Sequence, residues 1–143
     1  MRGPMHVLAL VLFPLAAGAA VPAQTVSIKL QDPTTDPSVT KMQIVADRSS
    51  VRAGRVTFKA DNLSKSEVHE VIVARDDGKT LPFDRKRDEV IEKRIPKLGE
   101  IGDLPPGKSG TLTLTLAPGR YLLFCNEPGH YEQGMKTALT VRK

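Results

Sequence analysis

The 143-residue chain has no tryptophan and few other aromatics, two Tyr and four Phe. That scarcity leaves no aromatic platform of the kind on which nucleic-acid bases stack. It also leaves Val, Leu and Ile to fill the core. Cys125 is the single cysteine, so no disulfide can close within the chain. Neither sign of charge forms a block. The formal net charge is +5, yet the signs are interspersed, and residues 84–94 alone carry both. This describes a mildly basic soluble surface with a weak preference for acidic partners, and no nucleic-acid-binding face. There is no internal repeat and no low-complexity tract.

Long apolar runs are also missing, apart from one near the N-terminus. Val7 to Ala20 is apolar, interrupted only by Pro14 and Gly18, and it falls short of the about 20 residues that a membrane-spanning helix needs. Arg2 precedes it, and Val21-Pro22-Ala23 forms a small-residue cleavage signature before Gln24. Residues 1–23 therefore read as a secretory signal peptide, with residues 24–143 as the mature domain. This makes the protein periplasmic or otherwise exported, and not an integral membrane protein. Cleavage removes His6 and Arg2, the one charged side chain in that stretch, which lowers the net charge from +5 to +4. In an oxidising compartment a cysteine without a partner is unusual. It is either an inert buried thiol, half of an intermolecular bridge, or a ligand.

From Gln24 onward short runs of alternating apolar and polar residues are separated by turn residues. Val26–Leu30, Met42–Ala46, Arg55–Ala60, Val68–Ala74, Thr111–Leu116, Arg120–Cys125 and Lys136–Arg142 read as strands. Asp32-Pro33, Asp36-Pro37, Asp76-Asp77-Gly78, Leu104-Pro105-Pro106-Gly107 and Pro118-Gly119 read as turns or loops. His69 shares a strand face with Val71 and Val73, because strand side chains repeat every two residues. Residues 84–94 break the pattern. They read either as a short surface helix capped by Asp84 or as a long polar loop. About seven or eight short strands with Gly/Pro turns predict an all-β, Greek-key β-sandwich, whose end loops can carry a site.

One such loop concentrates the chemistry. Cys125-Asn126-Glu127-Pro128-Gly129-His130-Tyr131-Glu132-Gln133-Gly134-Met135 places a thiol, an imidazole and a thioether at equal spacing. This is the soft donor set that copper selects, with two imidazoles and one thiolate around the ion and a weak axial thioether. With His6 lost, His69 is the one imidazole left to complete it. Zinc accepts Cys and His but seldom a thioether, and a structural zinc site uses four strong ligands. A Cys/His hydrolase needs a base oriented by a third group, an oxyanion hole and a cleft. A His five residues along the same tight loop is poorly placed for that work.

These residues resemble the cupredoxin family, the group of azurin, plastocyanin, rusticyanin and sulfocyanin. Tyr121-Leu122-Leu123-Phe124-Cys125, Pro128-Gly129-His130, Gly134-Met135 and the upstream His69 carry the resemblance. The four-residue gaps are most similar to those of rusticyanin and sulfocyanin. The resemblance implies one type 1 copper ion with His69, Cys125 and His130 as equatorial ligands and Met135 as the axial one. It implies a monomeric one-electron carrier, not an enzyme, with no bound substrate; a copper chaperone or storage protein is the alternative. It further implies redox partners (a c-type cytochrome, an oxidase or a reductase) docking near His130, for which Pro105, Pro128 and Tyr131 are candidates. Two departures stand out. Glu70 follows the upstream histidine where many members carry an Asn that pins the ligand loop, and residues 84–94 have no evident counterpart.

Overall fold

The computed structural model describes residues 23–143; the predicted leader falls, apart from Ala23, outside them. Eleven strands follow one another: β1 (Gln24–Gln31), β2 (Gln43–Ala46), β3 (Ser50–Arg52), β4 (Gly54–Asn62), β5 (His69–Arg75), β6 (Phe83–Asp84), β7 (Glu89–Val90), β8 (Lys97–Leu104), β9 (Ser109–Leu116), β10 (Gly119–Phe124) and β11 (Lys136–Arg142). One sheet runs β2-β1-β4-β9 and the other β3-β11-β10-β5-β8, with β6 and β7 paired as a separate ribbon. The chain crosses repeatedly between the two sheets, as in a Greek-key sandwich. Most neighbours are antiparallel; β1 with β4 and β11 with β3 are parallel.

Alternation in the sequence explains the layers. Val26, Ile28 and Leu30 of β1 and Val56, Phe58 and Ala60 of β4 point inward from one sheet. Val71 and Val73 of β5, Leu123 of β10 and Leu139 of β11 meet them from the other. Each fully buried Val, Leu, Ile or Phe contributes roughly 1.5–3 kcal/mol relative to exposure. In β9, Leu116 is buried while Leu112 and Leu114 are half-covered, consistent with an edge strand.

Strand β5 differs: every residue from His69 to Ala74 is buried. Strands covered on both faces read as continuous apolar runs. The second cover comes from residues 78–96. Leu81, Phe83, Val90 and Ile95 pack with Ile72, Ala74, Leu122, Phe124 and Tyr131 into a small second core on the outer face of β5 and β10.

That segment corrects the reading of residues 84–94, which form neither the short surface helix nor the long polar loop between which the sequence left the choice open. Phe83–Asp84 and Glu89–Val90 form a hairpin, followed by a single 3-10 turn over Glu92–Arg94. Asp84 does cap, but it caps the hairpin turn. Its Oδ1 accepts the Lys86 and Arg87 amides at 2.9 and 3.3 Å, and its carbonyl accepts Asp88 N–H at 2.8 Å. Asp88 sits in the left-handed region at φ 60°. The charged residues lie in the turn, and the flanking Leu81, Phe83 and Val90 are drawn onto the sheet. Tertiary burial of these few apolar residues outweighs the weak helical propensity of the charged run between them.

Candidate metal centre

The loop residues of the candidate site meet at one end of the sandwich. Cys125 follows the last residue of β10, Met135 precedes β11, and the turn between them is bound to itself. Cys125 N–H donates to Met135 O at 3.0 Å, Met135 N–H to His130 O at 3.0 Å, and His130 N–H to Glu127 O at 2.9 Å. The 3.0 Å pairing of Cys125 with Met135 continues the β10–β11 ladder and sets the thiol and the thioether residue side by side in sequence register. Gly129, at φ 82°, makes the reversal that a residue with a Cβ resists. The outer hairpin holds it, with Gly129 N–H donating to Asp88 O at 2.9 Å.

His69 arrives from β5, 56 residues upstream of Cys125 in the chain. A tied loop delivers it. Asn62 donates to Glu67 O and Leu104 O at 2.9 and 2.7 Å and accepts Ser64 N–H at 2.9 Å. The resulting cluster is compact. His69 Nδ1 lies 3.2 Å from His130 Nδ1, and Cys125 Sγ lies 3.4 Å from His130 Nδ1. One donor atom from each of the three residues falls within 4.8 Å of the others. Donors sharing one ion at bond lengths of about 2.0–2.3 Å stand at comparable separations. Met135 is completely buried beside them.

The surroundings prepare these atoms as donors. Asp32 Oδ2 is 3.0 Å from His69 Nε2. A carboxylate only accepts, so Nε2 carries the proton and Nδ1 keeps its lone pair for the cluster. Burial, and then the neighbouring His69, push the His130 imidazole below its ordinary value, which keeps it neutral at pH 7. Burial pushes the Cys125 thiol up to about 12, against the pull of the Glu70 and Glu127 amides. Without a cation the sulfur is therefore a thiol, and a metal must displace its proton to bind.

Glu70 takes over the pinning that the sequence left unassigned. Its Oε1 accepts Asn126 N–H at 3.0 Å while its own N–H donates to Cys125 Sγ at 3.4 Å. Burial pushes the carboxyl up to about 7, despite the Asn126 amide and with Glu92, Glu127 and Glu100 adding to the rise. Asn126 then locks the hairpin to the ligand loop. Its Oδ1 accepts Val90 N–H at 2.6 Å, and its Nδ2 donates to Val90 O and Glu92 Oε1, each at 3.0 Å. Among the described residues no buried side-chain polar atom lacks a partner.

The sequence missed Asp32 and Asn126. Asp32-Pro33 looks like Asp36-Pro37, and nothing local distinguishes the residue that faces His69. Of the docking candidates, Pro105 and Pro128 are exposed. Tyr131 is half-buried instead. Its ring packs edge-on against Phe124 at 5.5 Å and carries Lys136 Nζ 3.9 Å from its centroid, so its apolar faces serve the second core.

Two outcomes are expected. Asn126→Ala strands the buried Val90 N–H and C=O, at about 1–3 kcal/mol for each unsatisfied group, and thermal unfolding should show it; an unchanged Tm contradicts the lock. Metal uptake by the metal-free protein between pH 7 and 9 should release close to one proton, from Cys125 (pushed up to about 12) with His130 already neutral. Calorimetry in buffers of different ionisation enthalpy reads this, and zero release contradicts a buried thiol.

Comparison with known proteins agrees with the geometry. Residues 32–142 match the family model of copper-binding proteins of the plastocyanin/azurin family. Auracyanin-B of Chloroflexus aurantiacus is 56% identical over 39 residues, a match that spans 27% of this chain and 17% of that protein's length. Among solved structures, reduced auracyanin from Roseiflexus castenholzii aligns over 84% of this chain and 98% of its own, with a TM-score of 0.58 at 24% identity. Rusticyanin from Thiobacillus ferrooxidans aligns over 86% and 79%, with a TM-score of 0.66 at 19% identity. The structural likeness speaks for the fold, and the family match, covering most of the described residues, for the lineage. A sandwich that ends in a buried His69–Cys125–His130 cluster, matched over residues 32–142, places this chain in the plastocyanin/azurin family of copper-binding proteins.

Proposed function

We propose that the protein is an exported one-electron carrier that cycles a single type 1 copper between Cu(I) and Cu(II). His69 Nδ1, His130 Nδ1 and the Cys125 thiolate would hold the ion, and the Met135 thioether would be its weak axial ligand. Copper supplies the redox chemistry; the chain supplies fixed donors and excludes water. The observation that carries this reading is the convergence of three buried donors, with His130 Nδ1 3.2 Å from His69 Nδ1 and 3.4 Å from Cys125 Sγ. Such a cage need not rearrange much as the electron comes and goes.

His130 is the natural exit. It keeps 7% of its surface exposed while His69, Cys125 and Met135 keep none. Electrons would pass through its ring edge to a partner resting on the loop end, where Pro105 and Pro128 are exposed. A small, transient interface suffices for a redox encounter. A c-type cytochrome, an oxidase or a reductase fits this role. The complete burial of three of the four proposed ligands disfavours the alternative of copper delivery, which needs an exchangeable, accessible ion. Export rests on the Val7–Ala20 run and the cleavage signature at Val21-Pro22-Ala23. Among the described residues, no helix is long and apolar enough to cross a membrane.

The oxidised, copper-loaded protein should show an intense charge-transfer band near about 600 nm from the copper–thiolate bond. Cys125→Ser should abolish the band and the redox activity while preserving the folded sandwich. A colourless protein that surrenders Cu(I) to a weak chelator contradicts electron transfer and supports delivery; a blue Cys125→Ser protein contradicts the ligand assignment.

A further inference from the structure

Asp32 is fully buried, and its carboxylate is placed behind His69, on the side away from the donor cluster. Its two oxygens divide the work. Oδ1 accepts Thr34 N–H at 2.7 Å and the Thr34 hydroxyl at 2.6 Å, while Oδ2 accepts His69 Nε2–H at 3.0 Å. The loop that carries it is docked onto the loop leading to His69. Thr34 Oγ1 lies 3.1 Å from Ser64 Oγ and accepts Lys65 N–H at 3.0 Å. His69 is the one ion-pair partner that Asp32 has among the described residues. A neighbouring turn of the same composition gives an internal contrast. Asp36 binds Ser38 N–H and its hydroxyl through Oδ1 at 2.8 and 2.7 Å, but it is exposed and reaches nothing further.

We propose that Asp32 is a positioning residue of the metal centre, one that fixes His69 with Nδ1 free for the ion and sets a buried negative charge behind the ligand that favours Cu(II) over Cu(I). The proposal rests on the reading that His69 is a ligand. Its physical basis is simple. A carboxylate has no proton to give here, so the shared proton belongs to Nε2 and the tautomer is imposed. An imidazole that donates to a carboxylate is a stronger base at its other nitrogen. Inside a low-dielectric wall the negative charge acts across the ring with little screening, and it stabilises the more highly charged oxidation state. The apolar surroundings and the weak axial thioether act in the other direction, so Asp32 is a brake on the potential of this copper centre.

Three measurements test this. In the metal-free protein, nitrogen NMR should find His69 Nε2 protonated; an unprotonated Nε2 overturns the proposal without any variant or any copper. In the copper-loaded protein, Asp32→Asn should raise the reduction potential and weaken Cu(II) binding more than Cu(I) binding, with Asp36→Asn leaving both at the wild-type value. An Asp32→Asn protein that is folded and copper-loaded but has the wild-type potential shows that Asp32 only braces the loop, and overturns the proposal. If Asp32→Asn does not fold, Asp32→Glu and the nitrogen spectrum decide. Failure of the wild-type protein to take up copper would instead strike the proposed function, and the metal-free spectrum would still report on Asp32.

Discussion

The structure depends on holding two imidazole nitrogens and one sulfur in contact inside an apolar wall. The Cys125 thiol, 3.4 Å from His130 Nδ1, makes only a weak hydrogen bond, and with the two Nδ1 atoms 3.2 Å apart these contacts do not assemble the group by themselves. The surrounding chain must hold them there. The ladder bond between Cys125 and Met135 closes the ligand loop, Glu70 ties that loop to β5, and Asp32 holds His69 from behind. Each tether belongs to a different element, which makes the site a property of the whole sandwich end.

The outer hairpin has the same logic. Residues 78–96 add an apolar cover to β5 and β10 and then reach the ligand loop through Asn126 and Gly129. Covering β5 on its second face lets an unbroken apolar run carry His69 into the interior. The tethering of the ligand loop and the continuous burial of β5 thus come from the same segment.

Much of this was legible in the residues. The alternations of β1, β4 and β9 gave their faces, and the single Cys and the two remaining His pointed to the three side chains that the structure brings together. Strand β8 was not legible, because Gly99 and Gly102 interrupt its pattern and its closeness to β9 is tertiary: a Cβ on Gly110 would stand 2.5 Å from Ile101 Cγ2. Residues 84–94 misled because charge in a tight turn and charge on a helix face look alike in one dimension. Asp32 and Asp36 share a turn motif, and only the fold decides which one faces a histidine. Glu70 looked like a break in the family pattern, yet its carboxylate still accepts the amide after the cysteine.

The most direct measurement is a pair of high-resolution crystal structures, metal-free and copper-loaded. The expected result is one ion bound to His69 Nδ1, Cys125 Sγ and His130 Nδ1, with Met135 sulfur on its axis and donors that shift by no more than roughly half an ångström between the two states, the tolerance of a preorganised site. Copper bound elsewhere, or a cluster that assembles only once copper arrives, would contradict the account.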